Sequence, residues 1–145
     1  MPVITNIEDL RVLAEKRVPR MFYDYADSGS WTEGTYRANE ADFAKIKLRQ
    51  RVAVNMENRT TATKMVGLDV KMPVAIAPVG LTGMQSADGE IKAARAAEKF
   101  GIPFILSTMS ICSMEDVAAA TTAPFMYQLY MMRDREAMSN MIERA

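Results

Sequence analysis

The chain has 145 residues, no histidine, one cysteine, and 18 basic against 18 acidic residues. That length suits one ordinary domain, and zero net charge argues against a nucleic-acid partner or a polybasic membrane surface. The lone Cys112 excludes an internal disulfide and fits a reducing cytoplasm. The opening MPVITNIEDL lacks a basic signal region, and no apolar run nears the roughly 20 residues of a spanning helix.

Residues 1–45 read as a helical extension. Thr5-Asn-Ile-Glu8 has capping-box spacing ahead of Leu10 and Leu13. Pro19 ends that helix or starts the next. RMFYDYADSG gives one or two helical turns up to Gly29, and TEGTYRANEADFAKI reads as a third helix. Residues 46–72 carry two strand-like runs, KLRQRVAV and ATKMVGLDVKM, with Gly67 as a hairpin turn.

From residue 73 the pattern repeats. The strand MPVAIAP precedes a helix from about Asp88 to Phe100, stopped by Gly101. The strand IPFILST precedes a helix whose capping box is Ser113-Met-Glu-Asp116. The strand APFMYQLY precedes a helix from Asp134 onward. Near-continuous apolar strands alternating with helices imply parallel βαβ units buried on both faces. Three such units fit a small open α/β sheet on length; they also fit the first part of an eight-unit barrel, which needs about 250 residues. The chain stops in or just after a helix without a cap signal, which favours the barrel.

The strand exits hold the candidate chemistry. After Pro78 come Val79 and Gly80, a stretch of nearly bare backbone. GLTGMQSADG is neither a G-x-G-x-x-G fingerprint nor a phosphate loop. Ser107 and Thr108 end the second strand; Gln128 and Tyr130 end the third, and residues two apart on a strand face the same way. Main-chain amides, a hydroxyl, a carboxamide and a phenol suit a neutral planar ring such as a flavin. The same residues could equally cap strand ends, with Tyr130 packed. Tyr23 and Tyr25 read alone as core aromatics, and most of the 13 methionines as core filler. Met84 and Met109 fall nearest the strand exits. No metal site is expected, and Cys112 has no histidine to activate it.

Taken together, PRMFYDYADSGSWTEGTYRANEADF, LRQRVAVNM, MPVAIAPVGLTGM, GEIKAARAAEKFGIPFILSTMSICSMEDVA and PFMYQLYMMRDR resemble the FMN-dependent α-hydroxy-acid dehydrogenase and oxidase family. APVGLTGM and LSTMSICSMEDVA look most like its bacterial L-lactate dehydrogenase members. The resemblance implies the N-terminal part of a (β/α)8 TIM barrel, about three βα units, preceded by N-terminal helices and a small hairpin. It implies FMN as cofactor and oxidation of an (S)-2-hydroxy acid, L-lactate to pyruvate. By the same resemblance Pro78, Val79 and Gly80 present backbone to the flavin, Ser107 and Gln128 touch it, Tyr130 lies by the substrate and Tyr25 binds the substrate carboxylate. The family's histidine base, its carboxylate-clamping arginine and its flavin-side lysine match no position here and are expected beyond Ala145. The 145 residues alone are therefore expected to be inactive. The full-length protein is expected to be a homo-oligomer, cytoplasmic or peripheral at the inner face of the cell membrane. The electron acceptor is not legible in these residues. The rival expectations are a non-catalytic half-barrel assembly module and a small flavodoxin-like binder, for which no phosphate loop follows the first strand.

Overall fold

The computed structural model describes residues 3–145. Two compact units divide the chain, one running up to Arg59 and the other from Thr60 to Ala145.

The first unit is helical. Helix α1 (Ile7–Arg17) starts at Asn6, whose side chain accepts the Asp9 N–H at 3.0 Å, while the Asp9 carboxylate accepts the Asn6 N–H at 3.2 Å. The capping box thus lies one residue later than the expected Thr5–Glu8 pair. Thr5 instead donates both its N–H and its hydroxyl to Asp9. Pro19 caps α2 (Arg20–Ala26) without a side-chain bond, since its fixed φ suits a helix start. The third predicted helix divides into α3 (Gly34–Ala41) and a 3-10 turn at Phe43–Lys45. Asp27 ties the unit together. It accepts from Tyr23, from Tyr36 at 3.2 Å and from the Arg11 guanidinium at 3.1 Å.

The second unit opens with a hairpin, β1 (Thr63–Met65) and β2 (Leu68–Val70), paired antiparallel around Gly67 at φ +81°. The expected strand KLRQRVAV does not form. Residues 46–54 carry no regular element, and Leu48 and Val52 are almost fully exposed. A strand needs a ladder partner, and no strand of its own unit pairs with it among the described residues.

Next come α4 (Thr82–Gln85), α5 (Gly89–Phe100), β3 (Ile105–Ser107), α6 (Met114–Ala120), β4 (Met126–Gln128) and α7 (Arg135–Arg144). Strands β3 and β4 are parallel, with Ile105, Leu106 and Ser107 opposite Met126, Tyr127 and Gln128. The expected first strand contracts to one parallel bridge, Ile76 to Phe104. Ile76 donates to Pro103 O at 2.9 Å and accepts from Ile105 at 3.2 Å. Pro73 and Pro78 flank it, and each removes a ladder donor. The segment through Ile76, β3 and β4 therefore lie side by side in the order of the chain. This is the α/β architecture of a partial (β/α)8 barrel.

Burial explains why the helices sit where they do. Leu106 is fully buried, as is Val117 of α6, and α5 turns Ala94 and Ala97 toward them. Small residues on α5 let helix and sheet approach closely. The Phe104 and Phe125 rings stack tilted at 6.3 Å between centroids. Gly101 ends α5 at φ +82°, where its N–H bonds Ala97 O. The Ser113–Asp116 capping box forms as the sequence predicts, and α7 starts at Asp134, whose side chain accepts the Glu136 and Ala137 N–H groups. The Glu98 carboxylate accepts from the Thr121 hydroxyl at 2.7 Å and the Thr122 N–H at 3.1 Å, fastening the entry to β4 onto α5.

Leu106→Ala should destabilise the protein by about 2–5 kcal/mol in urea denaturation, because a sealed cavity replaces the side chain. Arg144→Ala breaks the exposed 2.7 Å pair with Glu115 and should cost under about 1 kcal/mol.

Candidate functional site

The carboxyl ends of the three parallel segments converge, because the strands pair in register. Ser107 lies opposite Gln128 in the ladder, and its hydroxyl donates to Gln128 Oε1 at 3.4 Å. The same hydroxyl accepts the Met109 N–H at 3.1 Å. Met109 O in turn accepts the Leu81 N–H at 2.9 Å. A hydrogen-bonded relay thus runs from the loop after Pro78, through the exit of β3, to the exit of β4. Ser107 is buried at 4% exposure, so its hydroxyl is fully engaged within the protein.

Donors lie open beside this relay. The main-chain N–H groups of Val79 and Gly80 and the carboxamide nitrogen of Gln128 make no hydrogen bond among the described residues. Pro78 and Val79 are exposed and Gly80 is half-buried. In this loop Leu81, not Gly80, adopts the left-handed region, at φ +57°. Leu81 is held there by its bond to Met109. Strain of this kind persists only where the surroundings fix it.

Strand alternation does not orient Tyr130, because β4 ends at Gln128. Its place comes from Thr108, whose Oγ1 accepts the Tyr130 N–H at 3.1 Å, while the Thr108 N–H donates to Gln128 O at 3.1 Å. Tyr130 is half exposed, as are Met84 and Met109. Tyr25 belongs to the first unit. It sits on α2 opposite the face that Tyr23 and Asp27 share, is 55% exposed, and takes no part in the Asp27 cluster. The Tyr23 hydroxyl, then Arg11, hold the Asp27 carboxyl below the usual range.

Sequence reasoning missed Glu90. It is 2% exposed, in the first turn of α5, yet carries a carboxylate. Oε1 accepts the Gly83 N–H at 3.1 Å and the Ile111 N–H at 3.0 Å. Oε2 is buried and has no partner of hydrogen-bonding geometry among the described residues. Burial acts to raise the Glu90 carboxyl, but the amides of Ile111 and Gly83 and the helix start outweigh it, so it lies below its ordinary value. Burial, and then the neighbouring carboxylate, push the Cys112 thiol up. The signal was present in GEIKAARA: an acid opens the stripe that Ala94 and Ala97 continue.

The residues fit a flavin. Neutral donors have no hydrogen-bond partner among the described residues, a carboxamide is held by a buried hydroxyl, and exposed apolar side chains flank them. That set can hydrogen-bond the heteroatom edge of a planar ring while its faces meet apolar groups.

Because a depressed folded value stabilises above the unfolded one, Glu90 contributes stability that is lost as pH falls below the ordinary glutamate range of about 4.3. Thermal melts should show this acid-side loss, and Glu90→Gln should flatten it. The Cys112 thiol should react with iodoacetamide at neutral pH more slowly than a free cysteine.

The model of the family described as FMN-dependent dehydrogenase matches residues 14–145. An L-lactate dehydrogenase of Xanthomonas campestris pv. campestris (strain B100) is 48% identical over 143 residues, 99% of this chain and 37% of that protein. One from Stenotrophomonas maltophilia (strain K279a) is 47% identical over the same length, 38% of it. The chain thus spans less than two fifths of these relatives. Among solved structures, a soluble mutant of the membrane-associated (S)-mandelate dehydrogenase from Pseudomonas putida superposes with a TM-score of 0.92 at 36% identity, covering 99% of this chain and 41% of that one. A mandelate oxidase gives 0.90 at 29% identity, covering 99% and 41%. With its sequence matched almost end to end and its fold superposed on theirs, the chain belongs to the FMN-dependent dehydrogenase family.

Proposed function

We propose that the three joined strand exits form one wall of an FMN site, and that the protein oxidises an (S)-2-hydroxy acid, L-lactate to pyruvate. The relay from Leu81 through Met109 and Ser107 to Gln128 carries this reading, because it aligns unused donors from separate strands along one rim. The names of the curated relatives favour lactate. FMN, when bound, supplies the two-electron acceptor for such an oxidation.

Each residue then has a task. Ser107 holds the oxygen of the Gln128 carboxamide, which leaves the nitrogen to donate to the ring. The Val79 and Gly80 amides donate beside it, and Pro78 fixes the exit of that strand. Tyr130 lies by the substrate, with Met84 and Met109 shaping the apolar end of its pocket, and the family resemblance gives Tyr25 the substrate carboxylate. Proton abstraction needs a base, and these residues contain no histidine. On this reading the base and the carboxylate-clamping arginine come from barrel residues beyond this chain. The 145 residues by themselves hold FMN weakly and do not turn over.

The mandelate dehydrogenase relative is membrane-associated, which supports a peripheral membrane association for the full-length protein; the inner face belongs to the same reading. No helix among the described residues is long and apolar enough to cross a membrane. A homo-oligomeric state belongs to the same reading. A second reading, a half-barrel assembly module without catalysis, draws support from the outer edge of β4. That edge pairs with no strand among the described residues, and Met131 beyond it is 83% exposed.

Flavin fluorescence titration tests the first reading. FMN should bind the chain with a Kd weaker than about 1 µM, and Gln128→Ala should weaken it a further tenfold. L-lactate should reduce no dye. Equal affinity in Gln128→Ala would remove Gln128 from the site, and lactate-dependent reduction would refute the division of labour. A stable dimer in light scattering without FMN binding would favour the assembly module.

A further inference from the structure

We infer that Glu90 is a positioning residue: its buried carboxylate pins the loop after Pro78 to the loop after β3, and so sets the shape of the wall. Three pieces of chain meet at it. Gly83 belongs to α4, Ile111 follows the β3 exit, and Glu90 itself opens α5. One carboxylate oxygen takes the N–H of the first two, at 3.1 and 3.0 Å. The direct Leu81–Met109 bond, which carries the relay, lies two residues from both of these anchors.

The packing around Glu90 allows no simple substitute. A Cβ on Gly83 would come within 2.7 Å of Ile111 Cβ and 3.1 Å of Glu90 Oε2. A Cβ on Gly89 would come within 2.6 Å of Thr82 O. Two glycines thus let α4 lie directly against the start of α5. A buried carboxylate is costly unless its bonds to the Gly83 and Ile111 amides form. The native arrangement of both loops is therefore the one in which Oε1 of the carboxylate is satisfied. A neutral side chain would leave each loop free to shift separately.

The role in shaping a flavin wall rests on the function proposed above; the pinning itself does not. Amide hydrogen exchange on the 145-residue chain without FMN tests the pinning. In Glu90→Ala, exchange at Gly83, Ile111 and Leu81 should accelerate by about 10- to 100-fold, while Leu106 and Val117 stay within about twofold. In Glu90→Gln, whose neutral amide oxygen accepts more weakly than a carboxylate, acceleration should be smaller but measurable, about three- to tenfold. Unchanged rates at Gly83 and Ile111, or an equal rise at Leu106 and Val117 in Glu90→Gln, would overturn the inference. If Glu90→Ala does not fold, Glu90→Gln decides alone by the same comparison. FMN titration separates the two proposals. Local acceleration together with a tenfold weaker FMN Kd in Glu90→Ala supports both. Local acceleration in a chain that binds no FMN keeps the pinning and removes the flavin reading. Local acceleration with unaltered FMN affinity overturns the role in the wall.

Discussion

The parallel register that places Ser107 opposite Gln128 is the constraint from which the candidate rim follows. In a parallel ladder all strands point their carboxyl ends the same way, so groups distant in sequence arrive at one rim. Slipping β4 by one residue would turn Gln128 to the other face of the sheet. What prevents a slip is the burial of Leu106 against α5 and α6, with the Phe104–Phe125 contact at the opposite end of the strands. Burying a leucine side chain contributes about 1.5–3 kcal/mol. The 3.4 Å bond between Ser107 and Gln128 is weak beside that. The core therefore fixes the register, and the register brings the candidate residues to one rim.

The rim then divides its labour between main chain and side chain. The loop after Pro78 offers amides, and the β4 exit offers a carboxamide. Ser107 and Thr108 serve as connectors whose hydroxyls orient the others. Such neutral groups suit binding and orientation more than proton transfer. This fits a family in which the cofactor carries the difficult chemistry and the protein positions it. The first unit is organised on another principle. A single carboxylate, Asp27, gathers Arg11, Tyr23 and Tyr36 around it, and Tyr25 lies on the opposite face of α2.

Local signals in the sequence were legible where a residue acts on its own neighbours. Gly101, Ser113 and Asp134 mark helix ends through side-chain or φ effects reaching three or four residues, and all three formed as read. The capping box moved only from Thr5 to Asn6. KLRQRVAV failed because strand propensity is a statement about fit to a partner, and the partner was absent. The first strand shrank to a bridge because flanking prolines withhold donors that its apolar run cannot replace. Glu90 was overlooked for a related reason. A glutamate in the first turn of a helix is ordinary as a dipole complement, and nothing local says that loops from elsewhere will bury it.

The sequence by itself determined the alternation of strands and helices, the helix ends, and through its motifs the family and the candidate rim residues. Each of these depends on interactions within a few residues or on patterns that survive in the chain as text. Only the tertiary structure decided that Leu81 takes the strained backbone, that Thr108 orients Tyr130, and that Glu90 binds two loops at once. Those outcomes depend on hydrogen bonds whose partners meet only after the sheet has paired and the core has closed.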